Sequence, residues 1–105
     1  MVLIREPAVA GSFYPSDPDE LRAAIQTLLD GAEVLPGPAP RALIVPHSGY
    51  IYSGSVAASA YAQLLPYRSQ YNRVVLLGPA HRVPVSGLAL PGVEFFKTPL
   101  GMVPV

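Results

Sequence analysis

Two short apolar runs stand out in the hydrophobic pattern of the chain. The first covers residues 41–45 and the second residues 73–77, and both are built mainly of aliphatic and β-branched side chains. A proline follows each run within two residues of its end, a pattern typical of a buried strand that stops abruptly. The runs show no polar alternation, so we predict two strands of a parallel sheet that is covered on both faces.

Two other segments have helical character. Asp17 followed by Pro18 and Glu20 forms a capping-box pattern, and Gly31 is expected to end the helix in a left-handed conformation. Helical spacing gives this first helix one apolar face, formed by Leu21, Ile25, Leu28 and Leu29. A second, alanine-rich helix is predicted over residues 55–65, before Pro66.

The order strand, helix, strand over about 35 residues predicts a right-handed βαβ unit. The fold class is therefore α/β, with a parallel sheet covered by helices. Further short strands are predicted over residues 86–90 and 93–96, with a turn over residues 98–101. Since two helices are few for such a sheet, we expect residues 1–105 to be the N-terminal portion of a larger single α/β domain, or to be covered by another chain. The isolated chain is then expected to be marginally stable or homo-oligomeric.

Composition excludes several classes of function. Seven Lys and Arg balance seven Asp and Glu in 105 residues, so no basic face for nucleic acid is expected. Cysteine is absent, which excludes a disulfide framework and a thiolate nucleophile or ligand in this stretch. Neither a signal-peptide core nor an apolar run long enough to cross a membrane is present. We expect a cytoplasmic protein with no membrane partner.

The chain has only two histidines, and each follows one of the apolar runs. His47 comes after the first run and His81 after the second. Ligands of parallel α/β sheets bind beyond the carboxyl ends of the strands, and neutral imidazole is a common ligand of transition metals. His47 and His81 are therefore candidates to line one cleft as a shared metal or catalytic site, for which zinc, iron and copper are all suitable ions; the alternative is that they are hydrogen-bonded structural residues. The set is incomplete, because a catalytic site usually has three protein ligands and Glu94 is the only carboxylate after the first run.

The residues around the histidines leave other readings open. Tyr50, Tyr52 and Arg82 are candidates for ligand binding, although the tyrosines could equally be packing aromatics and Arg82 a solvated charge. The glycines of residues 49–54 do not form a nucleotide fingerprint, and neither a nucleotide nor a flavin is predicted. Serines near His47 suggest a hydrolase, but the nucleophile-elbow motif and an orienting acid are both missing.

Four ordered motifs resemble those of the Memo-like family. Arg5 with the sequence PAVAGSFYP at residues 7–15 is similar to the opening signature of that family. VPHSGYIYSG at residues 45–54 is similar to its "PHAGYIYSG", LGPAH at residues 77–81 to its "LGPSH", and TPLG at residues 98–101 to its "TPLG". Ser48 and Ala80 depart from the family pattern, and family members continue well past residue 105.

The resemblance implies a fold like that of class III (LigB-like) extradiol dioxygenases, which hold non-haem iron between histidines and a later ligand. The motif histidines of the family map onto His47 and His81, and a further ligand is expected from the C-terminal half. Eukaryotic members are associated with phosphotyrosine-peptide and copper or iron binding. Bacterial and archaeal members, called AmmeMemoRadiSam system protein B, are associated with radical-SAM and AMMECR-type partners.

Two functions follow as hypotheses, and the sequence does not decide whether the chain is an enzyme. In the first, the cleft binds a metal ion, a small anionic molecule or a peptide without turnover. In the second, it is the site of a non-haem iron or copper redox enzyme, in which Tyr50 or Tyr52 positions a substrate. The first is favoured for this stretch, because two ligands bind a metal weakly.

Overall fold

The computed structural model describes all 105 residues. It contains a three-stranded sheet of β1 (Ile4–Arg5), β2 (Phe95–Thr98) and β3 (Gly101–Pro104). It also contains a helical part, with α1 (Pro18–Asp30), α2 (Tyr50–Tyr61) and a 3₁₀ helix (Ala62–Gln70). The α/β class is thereby confirmed.

The sheet is mixed. β1 pairs with β2 in parallel, with Ile4 opposite Phe95, and both helices lie between these strands in the sequence. β2 and β3 form an antiparallel hairpin around the predicted turn, where the Thr98 hydroxyl donates to the Gly101 carbonyl at 2.9 Å. Gly101 has a φ of 132°, a conformation that favours glycine. The parallel pair is therefore formed by the two ends of the chain.

The predicted strands at residues 41–45 and 73–77 are not formed. No hydrogen bond joins a main-chain group of either segment to another main-chain group. A strand is defined by its ladder to a neighbour, and within these 105 residues neither segment has one. Residues 86–90 are likewise not a strand, and the strand predicted over residues 93–96 is displaced by two residues, to Phe95–Thr98.

The start of α1 and its end at Asp30 are as predicted, whereas the left-handed conformation expected of Gly31 is wrong. The Asp17 carboxylate accepts a hydrogen bond from the Glu20 amide at 2.9 Å, and Pro18 occupies the first turn. Gly31, however, keeps a right-handed conformation with a φ of −78°, and its amide donates to the Thr27 carbonyl. The helical hydrogen bonding thus extends to the Gly31 amide, and no left-handed cap is formed.

The second helix starts five residues earlier than predicted and ends differently. α2 begins at Tyr50, directly after Gly49, and changes at Ala62 into a 3₁₀ helix that contains Pro66. Pro66 has no main-chain N–H to donate, and the chain continues past it in 3₁₀ turns and not as an α-helix. Closure of the first turn by the Tyr52 and Ser53 amides, which donate to the Gly49 carbonyl, extends the helix towards His47.

The core is small and lies where α1 meets α2. Only five residues are buried, and the buried apolar ones are Leu21, Ala58 and Ala62. Gly54 allows the close approach of the helices, because a Cβ at this position would lie 3.1 Å from Leu28 Cδ1. The helical part is thus held together by few buried side chains.

Candidate functional site

His47 and His81 lie side by side although 34 positions separate them. Their Nε2 atoms are 3.2 Å apart, and the ring centroids are 5.2 Å apart at an interplanar angle of 45°. Both residues are exposed to solvent. Two neutral imidazoles in this arrangement share one hydrogen bond, in which one ring donates and the other accepts.

The two histidines are held very differently. His47 stands three residues before α2, whose first amide, that of Tyr50, donates to the Phe13 carbonyl at 2.8 Å. The Ser53 hydroxyl donates to the Ser48 carbonyl at 3.2 Å and closes the same turn. His81 follows a segment without main-chain hydrogen bonds. Hydrogen bonds thus fix the chain directly after His47, whereas none fixes the chain directly before His81.

No third metal-binding side chain lies beside the pair. The structure contains no group of three or more His, Cys, Asp or Glu residues that could hold a metal ion. Glu94, the one carboxylate after residue 41, instead accepts a hydrogen bond from the Leu3 amide at 3.1 Å. Within these 105 residues a metal at the pair would have two protein ligands and open positions.

A cavity of about 350 Å³ lies next to His47, between α1, α2 and the loop at residues 9–14. His47 forms part of its wall, whereas His81, Tyr52 and Arg82 do not. No Asp, Glu, Lys or Arg lines it, and its walls are mainly apolar: Val9, Phe13, Tyr14, Ile25, Leu28, Leu29, Pro46, His47, Ser48, Tyr50, Ser53, Gly54, Ala57, Ala58 and Tyr61. The cavity suits an uncharged group better than an anion.

Tyr50 is the ligand-binding candidate that lies in this cavity. Its ring centroid is 5.8 Å from that of Tyr14. Burial raises the pKa of the Tyr50 phenol above its ordinary value, and the neighbouring Tyr14 and Tyr61 raise it further. The Tyr50 hydroxyl is therefore kept as a neutral hydrogen-bond donor at the edge of the apolar space.

The other two ligand-binding candidates are separate from the cavity. Tyr52 is 85% exposed on α2. Arg82 is exposed, forms no salt bridge and follows His81 directly in the chain. The three candidates therefore do not share one site: Tyr50 lies in the cavity, Tyr52 is exposed on α2, and Arg82 lies on the segment that carries His81.

Sequence reasoning did not identify three aromatic residues of the cavity wall. Phe13, Tyr14 and Tyr61 line it together with Tyr50. The loop at residues 9–15 lies against the start of α2, where the Tyr50 amide donates to the Phe13 carbonyl. Tyr61 lies eleven residues after Tyr50, which is three helical turns and hence the same face of α2. That spacing could have indicated a shared wall.

No helix of the structure has the length and apolar character needed to cross a membrane.

Comparison with known proteins identifies relatives over almost the whole chain. Protein MEMO1 of Danio rerio is 44% identical over 99 residues, which is 94% of this chain and 32% of the relative. Protein MEMO1 of Homo sapiens is 43% identical over the same shares of the two chains. A MEMO1 family protein of Aquifex aeolicus is 41% identical over 103 residues, 97% of this chain and 36% of the relative.

The chain therefore spans about a third of the length of these curated relatives. The sequence model of the family described as "Memo-like protein" matches residues 5–105, which include all four motifs noted above. A match of this extent, together with identities above 40%, establishes the relationship. The chain belongs to the Memo-like family.

Proposed function

We propose that His47 and His81 together bind one divalent transition metal ion, in a site open to a further small ligand. The observation that carries the proposal is the 3.2 Å distance between the two Nε2 atoms. Two imidazole nitrogens, each about 2.05 Å from one zinc ion in tetrahedral geometry, lie about 3.3 Å apart. The side chains as they stand are therefore spaced for a shared ion, and iron and copper are also accepted by imidazole ligands.

The surroundings of the pair support access by an external ligand. Both imidazoles are exposed, and no carboxylate completes the set. A bound metal would supply a Lewis-acidic centre with open positions for an anionic group, such as a carboxylate or a phosphorylated peptide. Arg82, next to His81 and without a salt-bridge partner, supports an anionic ligand on the solvent side of the pair.

A redox enzyme is the second candidate, and the cavity favours it. Open coordination positions suit the O₂ chemistry of non-haem iron and copper sites. The apolar space beside His47, with the neutral Tyr50 hydroxyl at its edge, could hold an uncharged organic group close to the metal. Binding without turnover remains the main proposal, because two protein ligands leave the metal weakly held.

Metal titration of the purified chain tests the proposal. After dialysis against a chelator, isothermal titration with Zn²⁺ and Cu²⁺ should give one ion per chain. His47→Ala and His81→Ala should each weaken binding at least tenfold. Because both side chains are exposed, circular dichroism of the variants should match that of the parent.

Two control variants and a spectroscopic readout sharpen the test. Tyr52→Phe should leave the metal affinity unchanged, whereas Arg82→Ala should weaken only the subsequent binding of phosphate to the metal-loaded chain. Electron paramagnetic resonance of the Cu²⁺ form should show nitrogen ligation that is lost in both histidine variants. Absence of binding, or equal affinity in either histidine variant, would refute the proposal. Oxygen consumption with a reductant that requires both histidines would favour the enzyme.

A further inference from the structure

A side-chain hydrogen bond joins the starts of the two segments that carry the histidines. The Tyr71 hydroxyl donates to the Pro40 carbonyl at 2.6 Å, across 31 positions of the sequence. Pro40 stands seven residues before His47, and Tyr71 stands ten residues before His81. Both segments therefore leave from this bond and meet again at the histidine pair, where the two Nε2 atoms are 3.2 Å apart.

The Tyr71 bond and the histidine contact close one ring of the chain, in which residues 41–46 and residues 72–80 are the two arms. Neither arm forms a main-chain hydrogen bond. The only hydrogen bonds that join the arms are therefore the side-chain bonds at their two ends. A ring that is closed at one end is easier to close at the other, because less chain entropy remains to be lost.

The stretch before the first arm, residues 33–40, is held against the 3₁₀ helix, and we call it the proline strap. It contains three prolines, whose rings restrict φ and make it stiff. Gln63 bonds to its main chain at two points, and the Tyr67 hydroxyl donates to the Gly37 carbonyl. Tyr71 makes the last of these contacts and the only one that lies at the start of both arms.

We propose that Tyr71 is a positioning residue for the histidine pair, which acts through its hydrogen bond to Pro40 and so raises the metal affinity of the two imidazoles. Along the sequence His47 and His81 are 34 positions apart, and the bond shortens the path between them to about half of that. Halving a loop favours its closure about threefold. The effect on metal affinity rests on the proposed function, whereas the effect on the imidazole pair does not.

Proton NMR of the metal-free chain tests the positioning. Because the chain has two histidines, two imidazole Hε1 resonances are expected, and a nuclear Overhauser cross-peak between them reports the pair. With a chelator present, Tyr71→Phe should weaken this cross-peak, to the extent given by an about threefold lower ratio of paired to unpaired imidazoles. Tyr67→Phe is the matched control, since it removes a hydroxyl that bonds to the proline strap away from the arms, and it should leave the cross-peak unchanged.

Isothermal titration with Zn²⁺ tests the consequence for the metal. The Zn²⁺ affinity of Tyr71→Phe should be about threefold below that of the parent chain, in step with the loss of paired imidazoles. Tyr67→Phe should bind Zn²⁺ as the parent does. A parent chain that shows the cross-peak but binds no Zn²⁺ would refute the proposed function, while the effect of Tyr71→Phe on the cross-peak would still decide the positioning.

A double-mutant cycle separates positioning from a purely structural role of Tyr71. Urea unfolding gives the stability lost through Tyr71→Phe in the parent chain and in the His81→Ala background. Because the second background has no histidine contact to close the ring, the loss should be smaller there. Equal losses would mean that the hydroxyl only stabilises the proline strap, and would overturn the inference. A cross-peak that Tyr71→Phe leaves unchanged, or that Tyr67→Phe weakens equally, would overturn it as well.

Discussion

The helical region, residues 9–31 and 49–61, is about as apolar as residues 72–92, but the two regions differ in how they are held. In the first region, α1 and α2 pack on each other and the loop at residues 9–14 bonds to the start of α2. In the second, no main-chain hydrogen bond is formed and every residue is exposed. Hydrophobic sequence alone therefore does not produce a buried element.

The two regions differ because helices and strands find their main-chain hydrogen-bond partners at different distances along the sequence. A helix satisfies its main chain internally, so α1 and α2 need only one apolar face covered by each other. A strand must find its main-chain partners in other segments. The region that depends on distant partners is the one left open.

The same substitution in the two regions should change stability by very different amounts. Leu21, on the buried face of α1, is 3% exposed, while Leu77 is 76% exposed. Leu21→Ala should cost about 2–5 kcal/mol, because it removes a buried side chain and leaves a void, whereas Leu77→Ala should change stability by less than about 0.5 kcal/mol. Urea unfolding followed by circular dichroism at 222 nm measures both. Similar losses would show that residues 74–77 are already packed in the isolated chain.

The helical region could largely be predicted from sequence because its signals are local. The Asp17 cap and the turn at residues 98–101 are both confirmed, and each depends on residues within four positions of one another. The start of α2 was placed too late, because the glycines and tyrosines of residues 49–54 are typical of a turn. The bond from the Tyr50 amide to the Phe13 carbonyl, a distant contact, favours the helix there.

The candidate site, too, could be predicted from the sequence only in part. Proximity of the histidines was expected from their equivalent places after two apolar runs, and the structure brings them together although those runs are not paired. Their role as metal ligands stays a prediction. The cavity beside His47 was missed, because it forms where three separate segments meet, and no single stretch of sequence carries that signal.

Removal of the α1 cap should weaken the helical region by a smaller amount. Asp17→Ala deletes the acceptor for the Glu20 amide and should cost about 1 kcal/mol, while Asp17→Asn, which keeps a side-chain oxygen, should cost much less. Asp30→Ala, which removes an exposed contact with Gln26, is the matched control. The midpoint of urea unfolding reports all three. A loss in the control as large as in Asp17→Ala would argue against a specific capping effect.

Ionisation of Tyr50 should produce the smallest effect, confined to alkaline pH. Burial raises the pKa of this phenol in the folded chain above its ordinary value of 10.0, so the unfolded chain loses the proton first as pH rises. The free energy of unfolding should therefore be unaffected by this group well below pH 10, then fall as pH increases until the folded pKa is passed.

Tyr50→Phe should remove that decline, and Tyr52→Phe, which deletes an exposed hydroxyl on the same helix, should retain it. Urea titrations at several values between pH 8 and about pH 11.5 measure the slope for each variant. Because the cavity wall includes Tyr50, the slope also reports whether this side of the helical region is closed in solution. Equal slopes for the two variants would mean that Tyr50 is as solvated as Tyr52, and the helical region would then be nearly as open as residues 72–92.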